Sequence, residues 1–332
     1  MKPATHDQSL LGRVFDQYQN FMLISQCVRE ASRQLKSVNP KVLELSRRPL
    51  GVAEYIPEAE LVRYPTHIND QPVLPSPLTL PFADRAFDCC LVSDAYEHLP
   101  SERRPELLAE MVRVTRGLVL VGCPVRSELT TRFDRIVFDF IWGKYGESFE
   151  PLRQHNEFGL ETVEEIVASI KTQGASRVIA LPSNYVYRWI HQILIYFDLQ
   201  HRQPYWDLFE PLDRIYNERL SPYDYREPAY HYLMVVAVDP GLDLDAFERR
   251  MKAPRESPAH VRETEGVLLR EFAAIQCRAD EALRERGKDI VRLEESLYAS
   301  RREIEELTNV ISQIQQGRWF RLRRLLSRFL GY

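Results

Sequence analysis

The chain has 332 residues, enough for one α/β domain of about 240 residues and an appendage. Its net charge of −4 argues against a general nucleic-acid-binding protein, and its 44% hydrophobic content is ordinary for a globular one. Residues 1–11 lack the apolar core of a signal peptide, and no apolar run approaches the roughly 20 residues of a membrane-spanning helix. Five scattered cysteines fit a reduced, cytoplasmic setting, and nothing has zinc-ligand spacing, so no metal site is expected.

The first part of the chain predicts a helix followed by two strands. Residues 16–34 carry apolar side chains at helical spacing, within a helical lead-in over residues 1–35. Residues 41–45 predict the first strand of a sheet, and residues 60–64 predict the second. The domain built on these strands is expected to span residues 36–240.

The most informative segment is LPFADRAFDCCLVSDAYEHLP, residues 80–100. Phe87 begins a strand, and the apolar run at residues 89–92 is typical of a strand covered on both faces. Asp94 follows at the end of that strand, which in an open parallel sheet borders the ligand crevice. The segment resembles the "LPF-x-D-x-x-FD … D-x-x-EH-x-P" block of class I S-adenosylmethionine-dependent methyltransferases, specifically the type 11-like branch that acts on glycans and surface polysaccharides.

The resemblance implies a fold and a cofactor. The implied fold is α/β, a doubly wound, seven-stranded, mostly parallel Rossmann-like sheet whose last strand is antiparallel. The implied cofactor is S-adenosylmethionine. The positions that match cofactor-binding positions of the family are Glu44, Ser46, Gly51, Ser76 and Asp94.

Several of these positions depart from the family pattern. The family has a glycine-rich turn after the first strand, where the backbone passes close to the cofactor. Three glycine positions of that turn are occupied here by Ser46, Arg48 and Leu50. The second strand runs into Pro65-Thr66-His67 where an acid for the ribose is expected, and Asp70 comes several residues later. Ser76 stands where an acid near the adenine is expected.

Two interpretations of the cofactor end stay open. In the first, the cofactor binds through Glu44, Gly51, Asp94 and backbone groups, with Arg47 or Arg48 holding its carboxylate. In the second, the sheet is a scaffold that binds a different ligand or none. A charged side chain in a crevice needs an anionic partner or water, so the arginines of this turn bear on both interpretations.

The remaining elements alternate in the order expected of a doubly wound sheet. A helix is predicted over residues 101–115, a strand over 117–124, a helix over 161–172, and strands over 176–181 and 231–238. Two inserts, 125–159 and 183–229, follow strands and are rich in aromatic residues. They predict either a lid with stacking platforms for a sugar or ordinary helices packed on the sheet.

Two histidines are candidate catalytic residues. The segment HNEFGL, which begins at His155, resembles a histidine-containing loop that precedes a helix in related glycan methyltransferases. In an active enzyme His155 is the first candidate for the general base, because imidazole titrates near neutrality. His98 is the second candidate. The alternative for His98 is a histidine at a helix start that is hydrogen-bonded to the backbone.

The C-terminal third has a different pattern. Residues 241–261 predict a linker rich in charge and proline. Residues 262–316 allow a heptad that predicts a coiled coil. The seam of this heptad consists of the a positions Leu269, Gln276, Leu283, Ile290, Leu297, Ile304 and Ile311 and the d positions Phe272, Ala279, Arg286, Leu293, Ser300, Leu307 and Ile314. Self-association through this seam, as a parallel dimer or trimer, is one interpretation. A single long helix folded back on the domain is the other.

The final segment, residues 317–332, predicts a basic amphipathic helix. Four arginines, Arg318, Arg321, Arg324 and Arg328, accompany an apolar face that includes Trp319 and Phe329. Such a helix suits an anionic membrane surface or the groove of a partner protein, through residues 318–330.

These patterns together predict two alternative functions. The first is an oligomeric O-methyltransferase that acts on a glycan or lipid-linked saccharide, cytoplasmic and peripheral at the inner face of the membrane. The second is a non-catalytic scaffold of methyltransferase fold that organises surface-polysaccharide assembly through its coiled coil and tail. Neither function involves nucleic acid.

Overall fold

The computed structural model describes residues 8–47, 51–68, 71–72, 74–75, 77–175, 177–200, 209–252, 254 and 257–330. The chain divides into two compact units, Met1–Phe272 and Ala273–Tyr332. Within the described residues, no helix combines the length and the apolar content that crossing a membrane requires.

Eight strands occur among the described residues of the first unit. They are β1 Lys41–Ser46, β2 Glu60–Pro65, β3 His67–Ile68, β4 Gln71–Pro72, β5 Phe87–Ser93, β6 Thr115–Pro124, β7 Arg177–Tyr185 and β8 Ala229–Ala237. Six of them form one sheet in the order β2-β1-β5-β6-β8-β7, and β3 and β4 pair separately. Strands β2, β1, β5 and β6 are mutually parallel, whereas β8 is antiparallel to both of its neighbours. The prediction of an antiparallel last strand is therefore confirmed.

The predicted strand number needs a correction, because the main sheet has six strands in the described part of the chain and not seven. The segment between β2 and β5 forms only the two-residue strands β3 and β4. Prolines at positions 72, 75, 77 and 81 interrupt this segment. Because proline donates no backbone hydrogen bond to a ladder, a long edge strand is disfavoured there.

Nine helices accompany the strands in the described residues. They are α1 Phe15–Leu35, α2 Arg104–Val114, α3 Glu128–Tyr145, α4 Glu150–Phe158, α5 Val163–Thr172, α6 Val186–Gln200, α7 Phe209–Arg219, α8 Leu244–Met251 and α9 Pro258–Leu330. Apolar residues of α1 and α8 pack on one face of the sheet, and those of α2 and α5 pack on the other. Along β5, Cys89 and Leu91 belong to the first core and Cys90 and Val92 to the second. The strand is thus buried on both faces, and the doubly wound α/β fold is confirmed.

The two inserts fold as α3–α4 and α6–α7, which share a third apolar cluster. Trp189, Phe197 and Tyr216 are buried in this cluster, as expected for side chains on helices that pack into a core. Trp142 and Tyr187 are different, since 57% and 45% of their surfaces are exposed.

The parallel strands determine where a ligand can bind. Strands β1, β5 and β6 all end at one edge of the sheet, and the chain leaves that edge at Arg47, Asp94 and Val125. Helices α3 and α4 follow directly after β6. This edge is the usual ligand crevice of an open parallel sheet.

The second unit, Ala273–Tyr332, is helical through Leu330 as part of α9. Large apolar side chains at the predicted seam positions of this unit are between 54% and 69% exposed. They are Ile290, Leu293, Leu297, Ile304, Leu307 and Ile311. The helix agrees with the prediction, while the coiled coil stays a prediction. The segment 241–261, expected as a linker, contains α8 and the start of α9.

Candidate functional site

A cavity of about 240 Å³ lies at the carboxyl edge of the sheet. Its wall includes Arg47 after β1, Asp94, Glu97 and His98 after β5, and His155 on α4. Both predicted histidines and Asp94 therefore line the same cavity.

Asp94 is held in an uncommon backbone conformation. Its φ of +51° lies in the left-handed region, which aspartate tolerates better than most residues do. The Asp94 amide donates a hydrogen bond to the carbonyl of Gly122 at 3.2 Å, which ties the turn to β6. Its Oδ1 lies 3.4 Å from Nε2 of His231, on β8, whose Nδ1 lies 3.2 Å from Oγ of Ser183. The Asp94 backbone is thus tied to β6, and its carboxylate lies beside the His231 imidazole at the cavity wall.

Glu97 and His98 are buried, with 3% and 4% of their surfaces exposed. Burial, helped by the nearby Asp94 carboxylate, raises the pKa of Glu97 to about 8. Burial, together with the charge of Arg47, lowers the pKa of His98 to about 2. His98 is therefore a neutral imidazole at physiological pH. The backbone carbonyl oxygen of His98 lies 3.3 Å from Nε2 of His67.

His155 lies within helix α4, so its predicted position in a loop before a helix was wrong. The helix starts early because Pro151 occupies its first turn and Glu150 suits its N-terminus. It ends at Gly159, whose φ is +71°. The helical position brings the His155 ring into a stacked arrangement with His98, at 5.5 Å between ring centroids.

His155 is oriented by an acid on a neighbouring helix. Its Nδ1 lies 3.1 Å from Oδ2 of Asp134 on α3, and the hydroxyl of Tyr230 donates to Oδ1 of Asp134 at 2.7 Å. All three side chains are buried. Because Asp134 engages Nδ1, Nε2 of His155 is the nitrogen left for a ligand or a proton.

Arg104 joins the two segments that carry the histidines. Its guanidinium donates to the carbonyls of Glu97 and Leu99 on one side and to that of Gly159 on the other. It also pairs with Glu161 at 3.1 Å, and only 1% of its side chain is exposed. This single cation holds the loop after β5 against the end of α4.

The predicted cofactor residues are spread over different environments. Glu44 is fully buried, its Oε2 lies 2.8 Å from Nε of Arg63, and burial raises its pKa. Ser46 is a buried residue at the end of β1. Gly51 is exposed, and a Cβ there would come no nearer than 4.0 Å to a neighbouring side chain. Of the predicted set, Asp94 lines the cavity, while these three are not among the described residues that line it.

The remaining positions of the cofactor prediction lie outside the described residues. These are Arg48, Leu50, Asp70 and Ser76.

Sequence reasoning missed Asp134, Tyr230, His231 and Arg104. A signal for Asp134 was present, because it follows Thr130 by four residues and precedes Val137 by three, on the buried face of α3. A charged residue on the apolar face of a helix needs a buried partner. Tyr230, His231 and Arg104 carry no comparable pattern, since only the tertiary fold brings them to the site.

One family model matches part of the chain. It is described as "Methyltransferase domain" and covers residues 56–119, from before β2 into β6. The match includes the loop with Asp94, Glu97 and His98 but neither the segment after β1 nor His155. A search of curated proteins gives no match.

Solved structures with similar folds have low sequence identity. The CurJ carbon methyltransferase is 11% identical with a TM-score of 0.39, covering 66% of this chain and 54% of its own. Phosphoethanolamine N-methyltransferase 2 of Haemonchus contortus, solved with S-adenosylhomocysteine, is 14% identical with a TM-score of 0.36, covering 65% and 52%. The [4+2]-cyclase SpnF is 11% identical with a TM-score of 0.33, covering 64% and 78%. The chain thus spans about half the length of the first two, and the fold assignment rests on the strand order given above.

Proposed function

We propose that this protein transfers a methyl group from S-adenosylmethionine to a hydroxyl of a glycan or lipid-linked saccharide at a membrane surface. The observation that carries the proposal is the buried His155–Asp134 pair, whose free imidazole nitrogen borders the cavity at the carboxyl edge of the sheet. The sheet order and the methyltransferase-domain match over residues 56–119 support the choice of cofactor.

The cavity wall fits the amino-acid end of the cofactor. Arg47 offers a cation for its carboxylate, and Asp94 and Asp16 offer acceptors for its ammonium group. Burial and the nearby Asp94 raise the pKa of Asp16 to about 6, so an ammonium group beside the two acids would favour their charged forms. When bound, the cofactor supplies a methyl group on a positively charged sulfur.

His155 is the better of the two predicted bases. Its Nε2 would accept the proton of an acceptor hydroxyl, to which the bound cofactor would supply the methyl group. Asp134 stabilises the imidazolium that forms and keeps the proton-accepting nitrogen turned to the cavity. His98 is a weak base, because burial holds its pKa near 2.

The acceptor class rests on the aromatic part of the wall. Trp189 and Tyr230 stack with ring centroids 3.5 Å apart, and Phe149 and Phe197 also line the cavity. An apolar wall beside carboxylates suits a sugar, which presents both C–H surfaces and hydroxyls.

The membrane part of the proposal rests on the second unit. Its helix continues through the arginine-rich segment, where Arg318, Arg321 and Arg324 are exposed. A helix of this composition binds anionic lipid weakly by itself. Self-association through the exposed seam around Leu297 and Leu307 would multiply that affinity.

One observation favours the non-catalytic scaffold as the second candidate. Glu44 is engaged by Arg63 from the adjacent strand. Opening that pair would leave a charge buried without a partner. A protein that has no use for the cofactor can keep this pair closed.

Calorimetric titration with S-adenosylmethionine and, separately, S-adenosylhomocysteine separates the candidates. Micromolar binding of both ligands, with weaker binding by Asp94→Ala, supports the enzyme. A folded protein that releases no heat with either ligand at millimolar concentration supports the scaffold. If both ligands bind, methyl transfer to lipid-linked saccharides is expected to fall at least 100-fold in His155→Gln, while cofactor affinity is kept.

A further inference from the structure

We propose that Glu97, His98 and His155 form a binding site for a divalent first-row transition-metal ion. Each of the three offers one ligand atom, and these atoms lie within 4.8 Å of one another. All three side chains are at least nine-tenths buried. Two imidazoles with one carboxylate form a donor set that suits Zn²⁺, Fe²⁺, Co²⁺ or Mn²⁺ better than Mg²⁺.

Unsatisfied polar atoms at the site point to a ligand. Oε2 of Glu97 and Nδ1 of His98 have no hydrogen-bond partner among the described residues. A buried carboxylate oxygen and a buried imidazole nitrogen are costly to leave without one. The two side chains also do not satisfy each other, because their closest polar atoms, Oε1 of Glu97 and Nε2 of His98, are 3.6 Å apart, too far for a good hydrogen bond. A cation held by one oxygen of Glu97 and one nitrogen of His98 would engage both buried side chains.

The groups behind the site are arranged as they are around bound metals. Asp134 accepts from Nδ1 of His155, and Tyr230 in turn donates to Asp134. In metal sites a carboxylate behind a ligating histidine fixes its tautomer and raises its basicity.

The charges around the cavity permit a cation. Three carboxyl groups, those of Asp16, Asp94 and Glu97, face it together with one guanidinium, that of Arg47. Two positive charges can therefore be accommodated without leaving net positive charge in the cavity.

Three protein ligands leave coordination positions open toward the cavity, as in catalytic rather than structural metal sites. A saccharide hydroxyl bound there would have a lowered pKa and would release its proton to water before its oxygen takes the methyl group. This chemical role rests on the proposed function, whereas metal binding does not. Without the ion, Nε2 of His155 takes the hydroxyl proton directly. With the ion bound, its single lone pair holds the metal, and water takes that proton instead.

The test is metal binding by the full chain without cofactor or acceptor. Protein stripped with EDTA is titrated with Zn²⁺ by calorimetry and with Co²⁺ by visible absorption, which reports the ligand set. We expect one ion per chain. The affinity should fall at least about 100-fold in His98→Gln and His155→Gln, and by about 10–100-fold in Asp134→Asn. His191→Gln, a change at an exposed histidine on α6, should bind like the wild type.

Several outcomes would overturn the proposal. They are absence of saturable binding by the wild type, equal binding by the variants at positions 98 and 155, or equal loss in His191→Gln. Circular dichroism establishes that each variant is folded. If the substitutions unfold the protein, the wild type decides alone, because a Co²⁺ spectrum unchanged from that of the aquo ion would show that no imidazole binds the metal. Metal binding without cofactor binding would support this metal site and contradict the proposed methyltransferase function.

Discussion

Two regions of the molecule differ in how their apolar side chains are covered. One is strand β5 with the loop that follows it, and the other is the helix of the second unit. In β5 every residue from Phe87 to Ser93 is buried, and Arg104 anchors the loop through several backbone carbonyls. In the second unit, apolar side chains such as Leu293 and Leu307 are more than half exposed. The first region obtains its partners from its own chain. The second displays apolar surface of the kind that a further copy or another partner covers.

This difference teaches where sequence patterns can be interpreted alone. A strand that alternates between two cores specifies its neighbours, because each side chain must be covered by a helix of the same domain. A heptad specifies only that some helix covers it. Substitutions that disrupt contacts in one region or the other test this difference, beginning with the largest expected effect.

Removing the cation of Arg104 should have the largest effect. Arg104→Met removes the cation beside the Glu161 carboxylate, which then keeps the Tyr96 hydroxyl as a donor, and it removes the guanidinium donor from the carbonyls of Glu97 and Gly159. Breaking a buried ion pair from one side costs about 3–5 kcal/mol of unfolding free energy. Urea unfolding followed by circular dichroism measures the loss.

Arg135→Met is the matched control for this change. Arg135 lies on α3 with 84% of its side chain exposed, 3.8 Å from Asp139. Its substitution should alter stability by no more than about 0.5 kcal/mol. Equal stability of the Arg104 and Arg135 variants would show that Arg104 does not hold the two segments together.

Two acidic substitutions in the exposed seam should abolish self-association. In Leu297→Asp/Ile304→Asp, both changes fall at a positions of the heptad, where charge in an apolar seam is strongly unfavourable. The dissociation constant should rise at least about 100-fold, equivalent to about 2.7 kcal/mol. Sedimentation equilibrium over a concentration series reports it.

Tyr298→Asp provides the comparison, since Tyr298 is 67% exposed and falls outside the seam. This variant should associate like the wild type. A wild-type chain that stays monomeric at all concentrations would contradict the predicted coiled coil. Equal weakening of self-association by both variants would contradict the assigned heptad register.

Much of the first unit could be predicted from the sequence, and the reason is physical. The apolar run at residues 89–92 has the pattern of a buried strand, and residues 60–64 have that of a strand. Both strands were found close to their expected positions. The antiparallel position of β8 came from the family resemblance. The seventh strand was predicted wrongly because the resemblance was extended over a segment whose prolines oppose it.

The site was less predictable because its geometry is tertiary. His98 and His155 were nominated separately, and the fold stacks their rings. Asp134 was identifiable in principle from its place on an apolar helix face. No local pattern shows that Arg63 engages Glu44, because the contact depends on the pairing of β1 with β2.

Substitution of the tail arginines tests the proposed membrane binding of the second unit. Each basic residue near an anionic bilayer contributes about 1 kcal/mol, so Arg318→Gln/Arg321→Gln should weaken binding to vesicles by about 30-fold. Co-sedimentation with vesicles containing phosphatidylglycerol measures the partition. Arg301→Gln/Arg302→Gln removes the same charge from an exposed part of the same helix and should have less effect. Equal losses in the two variants would indicate general charge attraction and not a tail-specific contact.

A buried carboxyl group should make the first unit's stability depend on pH. Burial and the neighbouring Asp16 raise the pKa of Asp213 on α7 to about 8, and its Oδ1 accepts from the Phe15 amide at 3.0 Å. The folded state therefore binds this proton more tightly, and the group's contribution to stability is lost as pH rises from about 4 to about 8.

Asp213→Asn keeps the hydrogen-bond acceptor at this position without the ionisation. Its stability relative to the wild type should rise by up to about 1.4 kcal/mol for each pH unit within that range, measured by urea unfolding at several pH values. Asp139→Asn, at an exposed position on α3, should give a curve parallel to the wild type. A parallel curve for Asp213→Asn would mean that Asp213 titrates alike in the folded and unfolded chain.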